Sequence, residues 1–381
     1  MAKTRIIQKL KKISDGYYAN QLVKSYNSRI NDVFNANPQV AGFELSGEEL
    51  NRTKDFWGKY KIRPNIKWIK AYSYAFGKFS EKFLPDDVYF LYVEPYLNNL
   101  FFSAAYSDKN NYDRFFSDIK TPRSILRRIH GKYYDDQYNF LNNQDLEDYL
   151  RNFKDSYIIK PTLVDGGGKN IKQLKIEFPN VIIDGVDEFK LVQYLADYDS
   201  NFQIQEIAEQ HPAIAEIHPD SLNCIRVLSL RWQHKIEILC TVAKFGSGGS
   251  FMDGQRHGGV NCAIDKDGRV SKHAFSDRKF SKISIHPDTN KRFADLVIPG
   301  YQRLLDKITV MHEPLLHQDL VSWDMSIGPD GEPILIEINL NSQAIALQQA
   351  NNGPLLGKYT EEVLDAVFQS PKPRVYIRIA N

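Results

Sequence analysis

Three oxygen-bearing side chains, Asp324, Glu337 and Asn339, interrupt an otherwise apolar stretch, WDMSIGPDGEPILIEIN (323–339). Asp330-Gly331 is a strong hairpin-turn dipeptide, and a two-residue loop there sets Asp324 opposite Glu337 and Ser322 opposite Asn339. The other side of the hairpin then carries Val321, Trp323, Met325, Ile327, Ile334, Ile336, Ile338 and Leu340, an apolar face for a core. Two carboxylates facing each other repel unless a positive charge lies between them. Mg2+ suits the position, because it is commonly held by one or two carboxylates while phosphates and water complete its shell. A solvated edge hairpin would explain the alternation, but not why that face of the hairpin has no Lys or Arg.

Other residues point to an anionic, phosphate-bearing ligand. Lys160 follows two isoleucines in SYIIKP, and a lysine buried there needs an anion or water. Gly166, Gly167 and Gly168 follow in DGGGKN, where backbone N–H groups can approach a polyphosphate closely. The Walker pattern is absent, and a flexible surface loop would look the same. FQIQEIAEQH (202–211) is a strand turning polar at its end. Gln205, Glu206 and the backbone of Ile207 could read a purine edge, with Glu209 or His211 at a ribose hydroxyl. Arg226 lies in line with Leu228 and Leu230, so its guanidinium needs an acceptor, either a buried carboxylate or a phosphate. Arg256 and His257, in GQRHGG, also suit an anion, whereas His317 reads as structural.

These residues need strands to aim them. From about residue 108, short strands alternate with helices: SYIIKPTL, KNIKQLKIEF, NFQIQEIAE, SLNCIRVLSLRW and IEILCTVAKFG read as strands. TPRSILRRIHGKYYD reads as a strand pair turning near Gly131. NQDLEDYLRNFK reads as a helix capped by Asn143, DEFKLVQYLADY as a helix, RFADLVIPGYQRLLDKI as a helix broken near Pro299, and EEVLDAVFQ as a closing helix. Residues 1 to about 80 carry aromatics at helical spacing with Lys and Arg between them. That pattern fits core-facing helices better than a nucleic-acid surface. FLPDDVYFLYVEPYLN (83–98), with Pro85 and Pro95, reads as a connection or short strand. The fold class is α+β with largely antiparallel sheets.

At ~150 residues per domain, 381 residues make two or three domains. The expected division is a helical region 1–107, a nucleotide lobe 108–208 and a metal- and substrate-binding lobe 209–381. A net charge of +2 argues for neither nucleic acid nor an acidic partner. Cys224, Cys240 and Cys262 lack zinc or redox spacing, which fits reduced thiols and a cytoplasmic location. No stretch reads as a transmembrane segment or signal peptide. The basic start MAKTRIIQKLKK reads as a solvated helix, with weak contact to an anionic membrane surface as the alternative.

Together these residues resemble the ATP-grasp superfamily. The resemblance rests on Asp324 followed by Glu337-x-Asn339, on Lys109 in SDKNNYDRF, on Lys160 before the glycine run, and on Glu206 ending a strand. QHPAIAEIHPDSLNCIRVLSL and HQDLVSWDMSI…PILIEINLNSQ resemble more narrowly the sugar-transfer-associated ATP-grasp family of bacterial polysaccharide biosynthesis. The resemblance implies two α+β lobes clasping ATP, with Mg2+ on Asp324, Glu337 and Asn339. Lys109 and Lys160 would meet phosphates, and Glu206 the adenine. The implied chemistry is a carboxylate-amine ligase forming an acyl phosphate, with small-molecule or sugar-linked carboxylate and amine substrates. Many amide-forming members carry an arginine where this chain has Ser322, so Arg226 or Arg256 would take its catalytic role. A kinase acting on a hydroxyl, and a non-catalytic nucleotide-binding module, are the two alternatives.

Overall fold

A computed structural model describes residues 2–163, 170–253, 258–276 and 281–369, apart from the side chains of residues 2–16 and Tyr18. The described residues up to about 80 are mostly helical, as their periodicity predicts. Helix Ile66–Phe76 is started by the Asn65 side chain, buries Trp68, Ile69 and Tyr72, and ends at Gly77, whose φ of +87° suits glycine. Residues 83–98 depart from expectation, since Asp86–Leu97 is a run of short helical segments and not a strand. Pro85 stands just before the first helix and Pro95 within the first turn of Glu94–Leu97, where no intrahelical N–H is needed.

Two antiparallel sheets follow. The first holds β1 (Ser124–Ile129), β2 (Lys132–Tyr134), β3 (Phe140–Leu141), β4 (Ser156–Pro161), β5 (Lys172–Glu177), β6 (Asn180–Ile183), β7 (Asp187–Lys190) and β8 (Phe202–Glu206). Their order is β3-β2-β1-β8-β4-β5-β6-β7. Helices Asn143–Leu150 and Leu191–Tyr198 close one face of this sheet over Leu126, Ile159, Ile204 and Phe202. Two local expectations need correction. Asn142, and not Asn143, caps the first of these helices, its side chain accepting from the N–H groups of Gln144 and Asp145. The segment expected to be wholly helical begins as β7.

The second sheet holds β9 (Cys224–Trp232), β10 (Lys235–Phe245), β11 (Val260–Ala263), β12 (Ala274–Ser276), β13 (Ser281–Ile283), β14 (Leu320–Ile327) and β15 (Pro333–Asn339). Its order is β13-β12-β11-β10-β9-β14-β15. Helix Tyr301–His312 packs behind it, starting after Pro299-Gly300 and not running through them. On the other face, Leu228, Leu230 and Leu320 pack against Trp57, Leu84, Tyr89 and Leu97 of the helical region. Part of the face that carries Arg226 is therefore roofed by the N-terminal helices.

The β14–β15 hairpin reaches the expected register by a different route. Asp324 pairs with Glu337 and Ser322 with Asn339, as the alternation predicts. The turn is longer than two residues: Gly331 donates to the Gly328 carbonyl with φ +77°, and Gly328 donates to Glu332. That loop shifts the pairing by one residue, so Met325 faces Leu335. A bulge between Asp324 and Met325 shifts it back. As a consequence Leu335 joins the core cluster of Trp323 and Ile338, while Ile334 is buried outside that cluster and Ile336 is half-buried.

Candidate functional site

The two sheets meet where β14 and β15 present their acids to Lys109 and Lys160. Asp324 is buried and directly opposite Arg226 on β9. The guanidinium grips it bidentately, with Nε 2.8 Å from Oδ1 and Nη2 on Oδ2. Lys244 on β10 lies 3.7 Å from the same carboxylate and 3.2 Å from Asp253. The Asn339 amide donates to Asp324 at 3.4 Å. Burial alone would raise the Asp324 pKa, but Arg226 and Lys244 hold it well below the usual range. Glu337 accepts from Lys109 at 2.8 Å; burial and the nearby Asp324 push its pKa up, but Lys109 and Lys160 together hold it below the usual range. The Lys and Arg missing from the hairpin thus come from β9, β10 and a turn beside the first sheet.

Lys109 sits on the short turn Lys109–Asn111, started by the Asp108 side chain. Its N–H donates to the Thr162 carbonyl at 3.3 Å, and Asn110 donates to the Thr162 hydroxyl at 3.0 Å. Those bonds tie the turn to the end of β4, one residue beyond Pro161. Lys160, on that strand, is 7% exposed, and no carboxylate lies within ion-pair distance of it among the described residues. Burial first, then the neighbouring Lys109, push its pKa down to about 7. A buried ammonium so placed is electrostatically ready for an anion.

Beside Lys109 opens a cavity of about 300 Å³ whose lining includes Tyr112, Ser124, Gln205 and Ile336. The Gln205 amide donates to Pro122 at 3.1 Å and to Ser124 at 3.4 Å, which fixes its orientation. Glu206 is exposed and 3.3 Å from Arg123, and Ile207 is exposed as well. Glu209 is exposed, whereas His211 is occupied: its ring Nδ1 accepts from Ala213 at 3.2 Å, capping a short helix. His317 is exposed and stacks on Phe102. Gly166, Gly167, Gly168, Arg256 and His257 lie outside the described residues. The structure therefore brings together Lys109, Lys160, Arg226, Asp324, Glu337 and Asn339, and leaves His211 with a capping role.

Four participants went unread in the sequence. Lys244 had the same signal as Arg226, a cation in phase with the apolar residues of a strand. Asp253 sits in a glycine-rich stretch that offers no periodicity. Glu94 and Asn98 belong to the segment mistaken for a connection. The buried Glu94 carboxylate accepts from the Ser342 and Gln343 N–H groups at 3.1 and 3.0 Å, just past Asn339. Asn98 donates to the Leu320 and Leu340 carbonyls and accepts from Leu320 N–H, clasping the hairpin's open end.

The donor chemistry fits Mg2+: two carboxylates and an amide oxygen from adjacent strands. Among the described residues no group of three or more His, Cys, Asp or Glu side chains gathers, so softer metals have no comparable site there. Nor is any described helix long and apolar enough to cross a membrane.

Residues 102–364 match the sugar-transfer associated ATP-grasp family, and the chain belongs to that family. Similar solved structures include the VanG D-Ala:D-Ser ligase from Enterococcus faecalis, at 13% identity and TM-score 0.39, covering 69% of this chain and 61% of that one. A D-alanine-D-alanine ligase from Helicobacter pylori matches at 14% identity and TM-score 0.37, covering 71% and 59%. The ADP complex of purK, an N5-carboxyaminoimidazole ribonucleotide synthetase, matches at 10% and 0.38, covering 71% and 52%. Such values are too low to transfer residue roles, and the chain spans only about half to three-fifths of those proteins. No curated protein matches the sequence.

Proposed function

We propose that this protein is an ATP-dependent, ADP-forming ligase that activates a carboxylate and joins it to an amine. The observation that carries the proposal is the facing of two sets of groups. Lys160, buried without a carboxylate partner, confronts two acids and an amide suited to Mg2+. A nucleoside triphosphate with its metal satisfies both sets at once. Membership of the ATP-grasp family and the likeness to ligases support the same reading.

In this account Asp324, Glu337 and Asn339 hold Mg2+, which when bound neutralises phosphate charge and orients the γ-phosphoryl group. Lys109, Lys160 and Lys244 would bear on the phosphates, and the base would lie near Gln205, Glu206 and Ile336. Arg226 keeps Asp324 ionised and aimed. The substrate carboxylate oxygen attacks the γ-phosphorus as the bond to ADP breaks. The amine then adds to the acyl phosphate, expelling phosphate and leaving an amide. Preorganised charge of this kind is worth ~3 kcal/mol per contact, or ~10²-fold in rate. A role in surface polysaccharide or sugar modification, in the cytoplasm, is part of the proposal.

One observation favours a second reading, a kinase acting on a sugar-like hydroxyl. Ser322 stands where amide-forming relatives carry arginine, its hydroxyl donates to Gln343 at 2.7 Å, and Arg226 is committed to Asp324. Hydroxylamine separates the two, because a ligase traps as a hydroxamate and a kinase does not. The broader test is a mass-spectrometric screen of carboxylate and amine pairs with Mg·ATP, scoring ADP and condensed product together. ADP release coupled to a product heavier by phosphate alone would replace the ligase by the kinase.

A further inference from the structure

Resting on that nucleotide-site reading, the geometry points to Lys109 as the residue that decides in what form the metal binds. We propose that, before nucleotide arrives, its ammonium takes the cation position at Glu337. A divalent cation then enters only as its complex with a nucleoside triphosphate, not alone.

The argument starts from where Lys109 is anchored. Its backbone is hydrogen-bonded to Thr162, at the end of the strand that carries Lys160, so it belongs to the first sheet. Its side chain crosses to the second sheet and ends 2.8 Å from Glu337 Oε1. Lys109 is 10% exposed there and Glu337 34%, so a charge-assisted contact is partly withdrawn from water while a path to the acid remains. Asp324 is closed off more firmly, by Arg226 on both oxygens and Lys244 on one. Three cations, Lys109, Arg226 and Lys244, thus already lie on the three carboxylates Asp324, Glu337 and Asp253.

A free divalent cation approaching this cluster meets acids already neutralised by the protein's own cations. It must also displace an ammonium that has no other carboxylate within reach among the described residues. A triphosphate reverses each term. It supplies negative charge beside Lys160, gives Lys109 a new partner at its own end of the cleft, and releases Glu337 to the metal carried on its phosphates. Metal and nucleotide are coupled through one residue that changes partner, and the coupling is reciprocal.

Mn2+ binding to the full chain, followed by electron paramagnetic resonance with and without the non-hydrolysable analogue AMP-PNP, tests the proposal. The wild type should bind Mn2+ at least ~10-fold more tightly with AMP-PNP than without it, within the usual range of coupling between sites. Lys109→Met should bind Mn2+ alone ~10-fold more tightly than the wild type does, yet bind Mn·AMP-PNP more weakly. Lys109→Arg, which keeps the charge, should exclude free Mn2+ as the wild type does. The opposite signs are what a merely structural lysine would not produce. Equal Mn2+ affinity with and without nucleotide in the wild type would overturn the proposal while leaving the nucleotide site intact. So would a Lys109→Met variant that folds but gains no affinity for Mn2+ alone. Failure of the wild type to bind Mn·AMP-PNP at all would overturn both.

Discussion

Where the two sheets meet, Asp324 and Lys160 present the same problem, buried charge, with opposite outcomes. On the second sheet every charge has an answer: Asp324 is held by Arg226 and Lys244, and Lys244 in turn by Asp253. On the first sheet Lys160 is buried with no carboxylate at ion-pair distance among the described residues, and its pKa falls to about 7. Charges that must keep one geometry are paired within the protein. Lys160 is left without a carboxylate partner, and folding bears the cost of its burial. The contrast marks which side of the cleft is scaffold for the acids and which awaits an anion.

Breaking the paired side should do the most damage. Asp324→Ala strands Arg226 in a buried setting, leaves Lys244 with Asp253 alone, and should cost ~3–5 kcal/mol of stability, read by denaturant unfolding. Loss below about 1 kcal/mol would mean the pair is solvated and the contrast false. Glu337→Gln is gentler on the fold, since Glu337 is one-third exposed, but should lower turnover ~10²-fold or more with a near-unchanged melting temperature. Full activity in that variant would remove the metal assignment.

Lys160 should behave in the reverse sense. Its ammonium is favoured in the unfolded chain and disfavoured in the folded one, so between about pH 7 and pH 10 the unfolded state holds more protons and stability rises with pH. Below pH 7 both states are protonated and the penalty is present in full. Lys160→Met should flatten that rise and leave the ligand-free protein as stable or more so, while nucleotide binding weakens ~10-fold or more. Calorimetry in buffers of different ionisation enthalpy should show proton uptake on nucleotide binding near pH 8 in the wild type, and less in Lys160→Met. The smallest effect is expected at Glu94→Gln, whose amide cannot accept from both the Ser342 and Gln343 N–H groups. A loss of ~1–2 kcal/mol by thermal unfolding is the expected outcome.

Much of this site was legible because its residues break strand periodicity. Lys160 and Arg226 are each a cation in phase with apolar residues of a strand, whereas Asp324, Glu337 and Asn339 share one side of a hairpin whose other side is apolar, and β-strands carry such signals cleanly. The facing of Asp324 and Glu337 was read correctly although the turn was not, because the longer loop and the bulge offset each other. That cancellation is a property of backbone geometry and leaves no mark in residue types. Partners supplied from afar were illegible for a different reason. Nothing local to Lys109 says that it meets Glu337, and Glu94 lies in a proline-flanked segment whose prolines start helices and do not end them. The glycine run and Arg256 fall outside the described residues, so the run's expected role at the phosphates and the expected catalytic role of Arg256 remain part of the proposal.

The central claim is that Asp324, Glu337 and Asn339 hold the metal of a nucleotide whose phosphates meet Lys160. It is tested most directly by a crystal of the full chain grown with Mn2+ and AMP-PNP. An anomalous difference map should place manganese between Asp324 and Glu337 with oxygen ligands, Lys109 moved from Glu337 to phosphate, and phosphate oxygens at Lys160. Manganese or nucleotide bound elsewhere, with Lys109 still on Glu337, would contradict the account.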